Sequence, residues 1–253
     1  MQLSWVAAVG ALTLGAGAYG SWRRGKVRQL LAVPATEEAD PGDLRCGPES
    51  AAAVVLIGDS RMSRWLPAPT LPAGVGVLNR GRGGETLAAM TARFEREALR
   101  CRPRAIVLQS GVNDLVAASF MSGDEAAAVV RATLERFERL AAQASGVGVT
   151  MLAMSIVPPG RPTLAYRVEG VGRLVDLVAA VNDALSRVRW PSGVRLLDPR
   201  EALCADGGRT LRREFQDDTL HMNEAAYVSL NRLLGEALAA TLASRIFSID
   251  TQA

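Results

Sequence analysis

Five short aliphatic runs, interleaved with amphipathic stretches, decide what this chain can fold into. The runs, residues 52–57, 75–78, 105–109, 147–155 and 194–197, are predominantly apolar, as strands buried on both faces are. Residues 86–99, 124–144, 168–187 and 224–244 place apolar side chains at helical spacing between and after them. Strands that alternate with helices pair in parallel, because each return connection has to cross the sheet, and the helices then cover both faces. The expectation is an α/β fold, a five-stranded parallel sheet between two helical layers. With 253 residues, 49% of them hydrophobic, the chain is large enough to fill such a core. No internal repeat and no second domain is visible; the folded unit is expected over residues 51–245, with residues 246–253 as a tail.

The first run ends abruptly in "VVLIGDSRMSRW", at Gly58-Asp59-Ser60. Open α/β sheets bind ligands beyond the carboxyl ends of their strands, so a hydroxyl here is well placed for chemistry. The competing reading is an ordinary helix N-cap. The second run ends in "NRGRGGET" (79–86) and the third in "SGVND" (110–114), on the same edge. Far downstream, "DDTLHMN" holds Asp218 and the single histidine of the chain, His221. A carboxylate three residues before a histidine can reach back to Nδ1, which fixes the tautomer and leaves Nε2 to accept a proton. Donors for an oxyanion are available in the Ser60 N–H, an amide of the glycine-rich turn and the Asn113 side chain. Taken singly, the glycines can equally make a tight turn, Asn113 can cap a helix, and a lone histidine can be structural. Asp59 and Asp114 read as supports that accept hydrogen bonds from loop amides.

As a set and in this order, "IGDSRMS", "NRGRGGET", "GVNDL" and "DDTLHMN" resemble the four blocks of the SGNH (GDSL-type) hydrolase family, over about residues 52–242. The resemblance implies a three-layer flavodoxin-like domain with Ser60 as nucleophile and Asp218 and His221 completing the triad. It implies Gly84, the last glycine of the N-x-G-x-x-G block, and Asn113 as oxyanion donors beside the Ser60 N–H. Two positions depart from the family pattern: Thr219 stands where glycine is common, and Arg61 follows the nucleophile. No G-x-S-x-G elbow occurs, which argues against an ordinary α/β-hydrolase. The implied reaction is hydrolysis of a carboxylic ester through an acyl-enzyme, without cofactor or metal. Acyl transfer to a carbohydrate hydroxyl on the same triad is the alternative, and a non-catalytic binding module a weaker one.

The substrate is less legible. The segment "LVAASFMSG" (115–123) reads as an apolar loop able to shelter an acyl chain, with Leu115 as its first contact, or else as cover for the sheet. Trp65 lies just beyond the nucleophile. Arg61 and Arg82 flank the site in sequence and are candidate contacts for an anionic head group, the plain alternative being solvated arginine. A lipid, an acylated sugar or another small ester is expected.

The formal charge of +3 does not point to nucleic acid, because the arginines are spread over the whole chain and not interleaved with aromatic residues. Three cysteines, Cys46, Cys101 and Cys204, and one histidine assemble no zinc site. Residues 1–22 carry no charge, and as a helix they reach about 33 Å, enough to cross a bilayer. Membrane attachment through residues 3–20 is therefore expected, with a cleaved signal peptide as the rival; residues 23–50 form a basic flank and polar linker. Arg23, Arg24, Lys26 and Arg28 follow at once, which by the positive-inside rule puts the domain on the cytoplasmic side, a periplasmic or secreted domain being the alternative. One pair of residues tests this. In a 2-1-3-4-5 sheet the amino ends of the first and third strands are neighbours, and Cys46 and Cys101 precede those strands. A disulfide between them is compatible with the strand spacing and would contradict the cytoplasmic placement; unrelated thiols would leave it standing.

Overall fold

The computed structural model describes Gly25, Cys46, Ala51 and residues 53–69, 71, 74–161 and 173–249. In chain order, strand β1 (Ala53–Gly58) leads into the short helix α1 (Ser60–Ser63), then β2 (Gly76–Gly81) and α2 (Leu87–Glu97). Strand β3 (Ala105–Gln109) follows, with α3 (Val112–Ser119), α4 (Gly123–Gly146) and β4 (Thr150–Met154). Helix α5 (Leu174–Leu185), β5 (Val194–Leu197) and α6 (Arg200–Leu203) come next. A small hairpin of β6 (Cys204–Ala205) and β7 (Thr210–Leu211) precedes the last helix, α7 (Glu224–Ile249).

The five main strands are parallel and ordered β2-β1-β3-β4-β5, the flavodoxin-like order expected from the sequence. Because side chains alternate along a strand, β1 sends Val55 and Ile57 to one face and Val54 and Leu56 to the other. The first face packs on Phe94 of α2, Leu115 of α3, Phe137 and Leu140 of α4, and Val178 and Val181 of α5. The second packs on Met62 of α1, Leu203 of α6, and Tyr227, Leu230 and Leu234 of α7. Both faces of the three central strands are covered by these layers, so their polar residues can reach solvent only at the strand ends.

The elements differ from the sequence reading in several places. The fourth strand begins at Thr150 and not at residue 147, because α4 runs on to Gly146 and turns through Gly148 at φ 69°, leaving Val147 61% exposed. Residues 112–119 form a helix, where an apolar loop was the expectation from residue 115. The β6–β7 hairpin and α6 carry no sequence signal strong enough to announce elements of two to four residues. Helix α7 extends to Ile249, beyond the expected residue 244.

Cys46 and Cys101 are joined in a disulfide, with Cα atoms 4.8 Å apart. Cys101 lies in the turn between α2 and β3, so the bond sits at the amino ends of the strands. Cys204 is free and buried. Among the described residues no helix is long and apolar enough to cross a membrane. The expected attachment segment, residues 3–20, lies outside the described residues.

Candidate active site

The carboxyl ends of β1, β2 and β3 form one edge, and three loops converge there. Ser60 opens α1 directly after β1, and Asp59 caps that helix by accepting from the Arg61 N–H at 2.9 Å. The cap and the candidate nucleophile are therefore adjacent residues: Asp59 performs the capping that Ser60 was the alternative candidate for. A β-carbon at Gly81 would overlap the backbone of Met62 and Ser63, so only glycine lets the end of β2 lie this close to α1. Asn79 ties the two together, donating to the Met62 carbonyl at 2.7 Å and accepting from the Gly81 N–H at 2.9 Å.

The Ser60 hydroxyl lies 3.0 Å from His221 Nε2, and His221 Nδ1 lies 2.7 Å from Asp218 Oδ2. The other oxygen of Asp218 accepts from the Leu220 N–H at 2.7 Å and from the His221 N–H at 2.8 Å. One carboxylate thus shapes the turn and orients the ring within it. Burial pushes the Asp218 carboxyl up, but the hydrogen bonds from the His221 ring and from the Leu220 and His221 amides outweigh it and hold its pKa below the ordinary 3.8. It remains an anion at neutral pH, with its charge next to Nδ1. Thr219, in place of the family's common glycine, needs no left-handed backbone here; it is buried, and its carbonyl accepts from the Gly160 N–H at 2.9 Å.

Gly84 adopts a left-handed backbone, φ 72°, in the turn after β2, a conformation that glycine takes without strain. Asn113, in the first turn of α3, donates to the Glu85 carbonyl at 2.9 Å, so its side chain is fixed against the residue after Gly84. A primary amide has two N–H groups, and this bond uses one. Asp114 does the supporting work expected of it: its carboxylate accepts from the Leu87 N–H at 2.7 Å, joining the start of α2 to α3. Below the turn lies a buried ionic cluster that the sequence does not announce. Arg93 bridges Glu85 and Glu97, and Arg82 and Arg96 also reach Glu97. The i,i+4 spacing of Arg93 and Glu97 was a visible signal, but their burial was not.

Of the three expected substrate contacts, two are buried and one is ion-paired. Arg61 is 1% exposed and turned inward, its guanidinium donating to main-chain carbonyls, so no head group can reach it. Arg82 is held by Glu97 at 2.8 Å. Leu115 is fully buried in the core beneath α3, as are Val116 and Phe120 in near-complete measure, because that segment is a helix whose apolar side covers the sheet. Trp65 is also buried, packed on Tyr227 with its indole N–H on Asn231 at 2.7 Å.

Several solved structures share this fold. A GDSL-like lipase from Bacteroides thetaiotaomicron superposes with a TM-score of 0.57 at 17% identity, over 79% of this chain and 93% of its own. The lipase/acylhydrolase from Enterococcus faecalis gives 0.51 at 22%, over 74% and 94%. A catalytic mutant of an acetylxylan esterase from Geobacillus stearothermophilus gives 0.51 at 15%, over 74% and 93%. The chain is not significantly similar to any curated protein. The family model of GDSL-like lipases and acylhydrolases matches residues 47–228, a span that contains Ser60, Gly84, Asn113, Asp218 and His221. By that match the chain belongs to the GDSL-like Lipase/Acylhydrolase family and is a carboxylic ester hydrolase.

Proposed function

We propose that the protein is a serine esterase that cleaves a short acyl group from a small-molecule alcohol, with Ser60 as nucleophile, His221 as general base and acid, and Asp218 as its orienting anion. The observation that carries this reading is the continuous hydrogen-bonded path from the Ser60 hydroxyl through the His221 ring to Asp218. In the first half-reaction Ser60 Oγ bonds to the ester carbonyl carbon while its proton passes to Nε2. The negative charge that develops on the carbonyl oxygen is met by the N–H groups of Ser60 and Gly84 and by the second N–H of Asn113. Collapse breaks the ester C–O bond, and the proton on Nε2 goes to the departing alcohol. Water then attacks the acyl-enzyme, gives its proton to Nε2, and the acid leaves as that proton returns to Ser60.

The preference for a short acyl group is supported by the burial of Leu115, Val116 and Phe120 in the core, which commits those side chains to the sheet instead of to a chain-binding groove. The acetylxylan esterase among the fold relatives is named for an acetyl ester. The reading extends to the compartment: the domain works on the oxidising side of a membrane, attached through residues 3–20. The Cys46–Cys101 disulfide supports this, because such bonds persist mainly outside the cytosol, and it outweighs the placement expected from the basic flank.

The test is a series of p-nitrophenyl esters of increasing acyl length, given to the wild-type and Ser60→Ala proteins with and without a sugar acceptor. The expected result is hydrolysis that is fastest for acetate, unaffected by acceptor, and reduced at least about 10³-fold in Ser60→Ala. A folded Ser60→Ala protein with near-normal turnover would remove the serine mechanism. Acyl transfer to the sugar in place of release would replace hydrolysis with transfer.

A further inference from the structure

Arg61 occupies an odd place for a cation: next to Ser60, 1% exposed, and without a carboxylate hydrogen-bonded to its guanidinium. Its Nε donates to the Leu220 carbonyl at 2.8 Å, and a terminal nitrogen donates to the Val157 carbonyl at 2.5 Å. Burial pulls its pKa down from the ordinary 12.5, and the charge of Asp59 leads the groups that oppose this. A buried cation of this kind is a poor stabiliser, since its desolvation offsets most of what its bonds contribute. The geometry supplies another reason for it.

The Leu220 carbonyl and the His221 N–H are two edges of one peptide plane, which is rigid. Asp218 holds the N–H edge at 2.8 Å, and Arg61 holds the carbonyl edge at 2.8 Å. Rotation of this plane would swing the Cα–Cβ bond of His221 and with it the imidazole. At the other end of the link, Arg61 is itself fixed. Its N–H donates to Asp59 Oδ1 at 2.9 Å, and its carbonyl accepts from the Tyr227 hydroxyl at 2.9 Å. The guanidinium is therefore a strut between the segment that carries Ser60 and the loop that carries His221, two residues 161 apart in sequence. Arginine suits the task because its planar fork addresses two carbonyls from different loops at fixed angles, which the point charge of lysine does not.

We propose that Arg61 is a positioning residue for the reaction: by pinning the Leu220–His221 peptide it sets the distance and angle between Ser60 Oγ and His221 Nε2. The proposal rests on the serine-esterase reading above. A misplacement of about 1 Å at reacting groups is enough to lower turnover by about 10²-fold.

The test compares full-length wild type, Arg61→Lys, Arg61→Gln and Ser60→Ala, purified with a histidine-free tag. Steady-state kinetics on p-nitrophenyl acetate are read beside the NMR signals of the ¹⁵N-labelled imidazole, which is a single spin system because His221 is the only histidine. The expected result in Arg61→Lys is a kcat lowered about 10- to 100-fold with KM within about 2-fold, a folded circular-dichroism spectrum, and a Nδ1–H signal that is shifted or broadened. Arg61→Gln should lose at least as much. Where it fails to fold, Arg61→Lys, which keeps the charge beside Asp59, carries the measurement. A folded Arg61→Lys protein with wild-type kcat and unchanged imidazole signals overturns the positioning role. Near-normal turnover in folded Ser60→Ala overturns instead the reading on which it rests, so the two failures are distinct.

Discussion

In the proposed mechanism Asn113 serves two purposes at once. One of its N–H groups holds the Glu85 carbonyl, and that bond fixes where the other points. Replacing Asn113 by Ala should lower kcat by about 10²- to 10³-fold, the usual loss for one oxyanion donor, with KM little changed. It should also lower stability by about 1 kcal/mol, because the Glu85 carbonyl loses its partner. Steady-state kinetics and a denaturant melt check both, and an unchanged kcat would leave oxyanion binding to the main chain alone. The hydrogen-bonded set was legible in the sequence because Ser60 follows directly on a strand and Asp218 sits three residues before His221. Arg61 was not legible. Nothing local distinguishes an arginine that meets solvent from one that turns inward to carbonyls 96 and 159 residues away.

At the scale of elements, α1 shows what a helix of four residues needs in order to hold the proposed nucleophile. It makes too few internal bonds to persist alone, and it is fixed by the Asp59 cap, by Asn79 on the Met62 carbonyl, and by the burial of Met62 against the sheet. The cap carries a pH signature. Burial, partly opposed by the neighbouring Arg61, pushes the Asp59 carboxyl up from 3.8 to about 6. The folded protein therefore keeps a proton that the unfolded chain has already lost between those values, and this contribution to stability declines as pH rises through about 6. The shift corresponds to about 3 kcal/mol. In Asp59→Asn this dependence should vanish, so the difference in unfolding free energy between wild type and variant should change between pH 4 and 7.5. Parallel pH curves for the two proteins would assign the titration to another group. The misreading of residues 115–123 belongs to the same scale. A short apolar run has no period of its own to separate loop from helix, and α3 forms because its apolar side finds the sheet and α4.

For the whole molecule, strand order and layering were legible because the aliphatic runs and helical periods admit few arrangements once crossovers are right-handed. The covalent link between chain ends of the sheet was legible only as a consequence of that order. The disulfide spans 55 residues, a loop whose closure stabilises the fold by about 4 kcal/mol in the chain-entropy picture. Non-reducing peptide mapping of protein taken from its native membrane should yield a Cys46–Cys101 linked peptide. Reduction should lower the unfolding midpoint while Cys204 contributes nothing. Free thiols at both positions would return the domain to the cytoplasmic side favoured by the basic flank. The position of the bond has a further meaning. It fastens the incoming chain to the amino end of the sheet, whereas Ser60 lies past the carboxyl end of β1, about 20 Å away along six residues of strand. With the attachment proposed above for residues 3–20, a domain tethered at that end would turn its Ser60-bearing edge away from the bilayer and toward esters in the surrounding solution.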